Sequence, residues 1–231
     1  MTLGELWRKN NVFWTEDRSL SALMIYLAVN TFVVVPFAHY RTGEILFAVL
    51  YSLVLLSGVY ALGGSWRRKL AFIILAAASF LSHWALRFEE VNLLKVTDDL
   101  LASLFYLALI VIVLRHIFRE GDVTLHRIQG AVAVYLLIGM LFSRLYHFIS
   151  LLDNEAFLMT NVIPEVESFY SRFVYFSFVT LTTLGYGDIT AINLGAKSLV
   201  MIEGLLGQLF PAIMITRLVT LEIEHRKNRK G

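Results

Sequence analysis

The sequence predicts an all-α membrane protein built from six transmembrane helices and one short re-entrant helix. Of its 231 residues 58% are hydrophobic and only 16% charged, and the mean hydropathy is +0.68, far too apolar for an ordinary soluble domain. Six apolar stretches approach the roughly twenty residues that a helix needs to cross a ~30 Å hydrocarbon core. A seventh is too short to span and runs straight into a glycine-containing segment, which suits a helix that enters the membrane and turns back.

The spans are expected over 20–38, 45–62, 70–86, 100–118, 128–151 and 195–219, with the short helix over 169–183. The first is too long for a signal-peptide core and follows Glu16 and Asp17, so it is expected to be retained. Before it, residues 1–19 place Leu3, Leu6, Trp7, Val12, Phe13 and Trp14 among charges. That segment reads either as an interfacial helix with tryptophans at headgroup level or as a loosely ordered polar terminus.

The cations set the orientation. One side collects Arg8, Lys9, Arg18, Arg67, Arg68, Lys69, Arg115, Arg119, Arg127, Arg217, Arg226, Lys227, Arg229 and Lys230, and the other holds only Arg41, Arg87, Lys95, Arg172 and Lys197. Positive charge favours the cytoplasmic side, so both termini are expected there, most naturally at the plasma membrane. With no cysteine, disulfides and thiolate metal sites are excluded and the redox compartment is not readable.

Thr180-Leu181-Thr182-Thr183-Leu184-Gly185-Tyr186-Gly187-Asp188 follows the short helix. Gly-Tyr-Gly-Asp alone would pass for a turn. A turn, however, needs neither the threonine spacing nor flanking membrane segments. A dehydrated cation needs a cage of oxygens, and successive backbone carbonyls supply one only if they point toward a common axis. An ordinary strand alternates its carbonyls, so aiming them one way requires left-handed residues, which glycine adopts cheaply. Gly185 and Gly187 stand where such residues are needed, Thr183 would add a hydroxyl oxygen, and Leu184 and Tyr186 would point back into protein.

These nine residues resemble the potassium-channel signature, and residues 130–222 resemble that family's pore module of outer helix, pore helix, filter and inner helix. The resemblance implies a homotetramer around one pore, with K+ bound along Thr183, Leu184, Gly185, Tyr186 and Gly187. Thr180, Thr182 and Asp188 would support the filter, as would Tyr175 and Phe176, which stand where many relatives carry paired tryptophans. Leu184 stands where valine is more common. The chain then divides into an N-terminus, 1–19, a four-helix domain, 20–126, a pore domain, 127–222, and a basic tail, 223–231. The expected function is passive K+ conduction with no cofactor beyond the permeant ion and no nucleic-acid partner; a weakly selective cation pore is the alternative should Leu184 distort the filter.

Gly204, Gly207 and Pro211 mark where the inner helix would bend or approach a neighbour closely. Glu203 is costly at membrane depth without a partner. At 1.5 Å per residue it lies about 12 Å below the outer end of its helix, and Arg144 about 10 Å below that of the preceding one. Their matching depths predict an Arg144–Glu203 pair, with a bond from Glu203 to the pore helix as the alternative.

Residues 100–114 carry no charge, and Arg115 and Arg119 come only at the inner end, so strong intrinsic voltage sensing is not expected. His83 and Arg87 share a helix face and could meet Glu89, Glu90, Asp98 or Asp99, as a pH-sensing group or as simple surface pairs. After Arg217 the expected tail is too short for a cytoplasmic ligand-binding domain, and its Arg226, Lys227, Arg229 and Lys230 would attract anionic lipid. An intramembrane enzyme or proton-coupled transporter finds little support: no Gly-x-Ser-x-Gly, His-Glu-x-x-His or inverted repeat occurs.

Overall fold

The computed structural model describes residues 20–34, 52, 66–86, 91–118, 124–160 and 169–228. Helix α1 covers 20–29 and continues as a π-helix over Asn30–Val34. Then come α2 (Trp66–Ala85), α3 (Asn92–Ile117), α4 (Leu125–Leu152), strand β1 (Phe157–Met159), α5 (Phe169–Leu181), strand β2 (Ile189–Ala191) and α6 (Leu194–Asn228). The chain is thus mostly helical, and it is a membrane protein. Among the described residues α3, α4 and α6 are long and apolar enough to cross a bilayer, while Leu20–Val33 and Leu70–Ala85 are shorter apolar helices. The span expected over 45–62 lies, apart from Ser52, outside the described residues.

Two details depart from the expected outline. The strands pair antiparallel, with Phe157 opposite Ala191 and Met159 opposite Ile189, so an otherwise helical chain carries a small ribbon. It ties the segment before α5 to the segment after the glycines. In addition α6 runs on to Asn228, so residues set apart as a tail from 223 continue the helix.

Helix α4 is the hub. Val134, Leu137 and Met140 on α4 share one core with Phe105, Tyr106, Leu109, Val113 and Ile117 of α3. Gly130 permits the close approach: a Cβ there would lie 3.2 Å from Leu20 and 3.3 Å from Ile117. Polar bonds fasten α1 to α4, with the Ser21 hydroxyl 2.7 Å from His126 Nδ1 and 2.5 Å from Gln129 Oε1. Further along, the Phe32 ring meets Phe178 of α5 at 5.9 Å between centroids.

A buried charge cluster joins α2, α3 and α4. Arg144 Nη1 donates to Asp98 Oδ2 and to Asp99 Oδ1, both at 3.1 Å. His147 Nδ1 lies 2.5 Å from Asp99 Oδ2, His83 Nδ1 3.5 Å from Asp98 Oδ2, and Ser82 donates to Asp98 Oδ1 at 2.9 Å. Helix α3 begins at Asn92, so both aspartates lie inside the helix rather than before a span starting at residue 100.

The Arg144–Glu203 pair is therefore a correction: Arg144 turns to α3, while Glu203 is bonded by Tyr146 and Ser177. Matching depths along two helices says nothing about azimuth. Arg144 and Tyr146 are two residues apart on α4 and so point about 200° apart; the tyrosine, not the arginine, faces α6.

Candidate functional site: a pore loop

The site is built on the end of α5. Its last carbonyls are taken by the turn that follows: Thr182 N–H donates to Phe178 O at 3.0 Å, Thr183 N–H to Thr180 O at 2.9 Å and Leu184 N–H to Val179 O at 2.9 Å. The negative end of the helix dipole is thereby aimed at the start of the loop, where a cation is favoured.

Beyond that turn the backbone is left-handed at every second residue. Thr183 has φ +60°, Gly185 +56° and Gly187 +79°. The two glycines were legible from sequence; Thr183 was not, because a β-branched residue is a poor candidate for that region. Strain of order 1–3 kcal/mol at such a residue persists only where its surroundings over-determine it, and here the turn bonded to α5 does so. Left-handed residues at alternate positions undo the ordinary strand alternation, which is what a one-sided row of carbonyls requires. Leu184 and Tyr186 are 60% and 68% exposed in the single chain, so both are left largely uncovered among the described residues.

The far end of the loop is anchored through Asp188. Tyr175 donates its hydroxyl to Asp188 Oδ2 at 2.8 Å, and Ile189 N–H reaches Asp188 Oδ1 at 3.0 Å. The Asp188 carbonyl accepts from Thr160 N–H at 2.9 Å and from the Thr160 hydroxyl at 3.0 Å. Next to Tyr175, Phe176 is buried between Tyr146 and Phe157 at 5.0 and 5.7 Å. Replacing Tyr175 by Phe is expected to cost about 1 kcal/mol, seen as faster hydrogen exchange at the Gly187 and Asp188 amides. Adding Asp188→Asn to that variant should produce less than the sum of the single effects.

Two glycines let the flanking helices reach α5. A Cβ on Gly207 of α6 would strike the Leu181 carbonyl, and one on Gly139 of α4 would lie 2.7 Å from the Phe178 ring. The Leu181 carbonyl also accepts from Tyr135 at 3.1 Å. Gly207 is thus a packing glycine, whereas Gly204 has open space around it among the described residues, and α6 continues through Pro211. Asn193 caps α6, accepting from Ala196 N–H at 2.7 Å and donating to Asp153 at 2.8 Å. Sequence reading passed over Asn193, although an asparagine just before an apolar run is a helix-start signal. It also passed over Tyr135, Gly139, Tyr146, Thr160 and Ser177, whose roles depend on which helix they face.

Two long apolar helices thus flank a short one, with an alternating left-handed loop after it, the arrangement a pore loop requires. Residues 130–224 match the family model described as "Ion channel", so this part of the chain is similar to pore-loop ion channels. A stretch of 46 residues is 41% identical to Protein LctB of Geobacillus stearothermophilus, covering 20% of this chain and 34% of that protein. Another of 53 residues is 40% identical to Protein LctB of Bacillus caldotenax, covering 23% and 38%. The chain therefore spans little more than a third of the curated relatives it matches.

Proposed function

We propose that the chain assembles as a homotetramer that conducts K+ passively and selectively, the ions exchanging hydration for the carbonyls of Thr183, Leu184, Gly185, Tyr186 and Gly187. The observation that carries this reading is the left-handed backbone at Thr183, Gly185 and Gly187. One such strand cannot enclose an ion. The exposed Leu184 and Tyr186, and the exposed apolar Met201, Leu205, Leu209 and Ile213 of α6, favour further copies of the chain around the pore. The filter opens outward at Asp188, both termini are cytoplasmic, and anionic lipid meets the basic end of α6. Helix α3 has no arginine before Arg115, so gating is not strongly voltage-dependent.

Purified protein in liposomes with a K+ gradient tests this. Wild type is expected to carry a flux that Gly185→Ala abolishes, because alanine at φ +56° is disfavoured by about 1–2 kcal/mol in each subunit. Equal flux from both proteins would overturn the reading. A reversal potential insensitive to exchanging K+ for Na+ would replace it with a weakly selective cation pore.

A further inference from the structure

Glu203 lies wholly buried where α4, α5 and α6 meet. Tyr146 approaches Oε2 at 2.5 Å, Ser177 Oγ approaches Oε1 at 2.5 Å, and the same Ser177 Oγ lies 2.7 Å from the backbone carbonyl of Gly139. The titratable groups facing it from α4 are Tyr146 and Tyr135; α5 presents the Ser177 hydroxyl, and between Lys197 and Arg217 α6 carries no other charged residue. Among the described residues no cation bonds to it.

The proton count is decisive. Three oxygen–oxygen contacts at hydrogen-bond distance need one proton each. A carbonyl oxygen cannot donate, so the contact to Gly139 takes the single hydroxyl proton of Ser177. The contact at Oε2 takes the Tyr146 proton. The contact between Oε1 and Ser177 Oγ is then left without one unless the carboxyl itself supplies it. An ionised Glu203 would also be a fully buried anion without a countercharge at membrane depth, which is strongly disfavoured.

We infer that Glu203 is a protonated, neutral carboxylic acid that donates to Ser177, closing a relay from Tyr146 through Glu203 and Ser177 to the Gly139 carbonyl. It is a positioning residue: acting through Ser177, it holds α5, and hence the start of the loop, to both flanking helices. Removing its proton leaves two donors for three contacts, so α5 loses its bond either to α4 or to α6. Its consequence for conduction rests on the proposed filter; the proton itself does not.

Infrared spectroscopy of the purified protein in liposomes tests the assignment. Wild type is expected to show the C=O stretching band of a protonated carboxylic acid that Glu203→Gln lacks. Tyr146→Phe, which removes the bond to Oε2, should shift that band. In flux measurements Glu203→Gln, whose amide can donate to Ser177 and accept from Tyr146, should stay within about twofold of wild type, whereas Glu203→Leu should fall at least roughly tenfold. Glu203→Gln falling as far as Glu203→Leu, or a spectrum in which Glu203→Gln removes no such band, would overturn it. Should Glu203→Gln not assemble, a band unmoved by Tyr146→Phe would do the same. A wild type without K+ flux would sink the channel reading and leave the infrared result to stand or fall alone.

Discussion

Replacing Arg144 with alanine is expected to destabilise the protein by about 3–5 kcal/mol, the range for removing one partner from a buried ion pair. Asp98 and Asp99 are 2% and 1% exposed and share the Arg144 guanidinium. Without it two carboxylates face each other's surroundings in a site that water barely reaches, with His83 and His147 as the histidine contacts among the described residues. Thermal or denaturant unfolding in detergent should show the loss. Adding Asp99→Asn removes one of the stranded charges and should restore part of the stability; no recovery would mean that Arg144 acts by packing alone. Because the cluster joins α2 and α3 to α4, the same variant should loosen the leading helices from the pore module, visible as new protease sensitivity around α3 with the module still intact.

Gly207→Ala is the second large effect. The added Cβ would overlap the Leu181 carbonyl oxygen and lie 2.8 Å from its carbon and 3.1 Å from its Cα. These are backbone atoms, so no rotamer change relieves the clash, and Leu181 is further held by Tyr135. Overpacking of this kind costs typically about 1–3 kcal/mol. Leu181 ends α5 and leads through Thr182 to Thr183, so the strain arrives at the proposed filter. The expected result is a sharp loss of K+ flux together with a lower unfolding midpoint. Gly204→Ala is the matched control, since its Cβ meets nothing among the described residues and helix propensity favours alanine by about 1 kcal/mol. Equal damage from both would place the critical contact between subunits instead.

Much of the pore module could be read directly from residue order. The apolar runs located α4, α5 and α6 to within a few residues, apart from the continuation of α6 past 219 to Asn228. The left-handed Gly185 and Gly187 followed from what a row of carbonyls demands. Thr183 did not, because its conformation is imposed by the turn bonded to Val179 and Thr180 rather than favoured by threonine itself. The ribbon between β1 and β2 escaped notice because three-residue strands carry almost no periodic signal.

Composition and spacing by themselves determined that this chain enters a membrane, and that one segment of it carries glycines where a one-sided row of carbonyls would need them. Both follow from local physics: apolar length against bilayer thickness, and the backbone freedom of glycine. Only the tertiary structure decided the partners of the buried charges. Arg144 and Glu203 match in depth, yet a two-residue offset on α4 sends arginine to the aspartates of α3 and leaves Tyr146 to meet Glu203. Rise along a helix is visible in a sequence, but the direction each residue faces gains meaning only once a second helix has packed beside it.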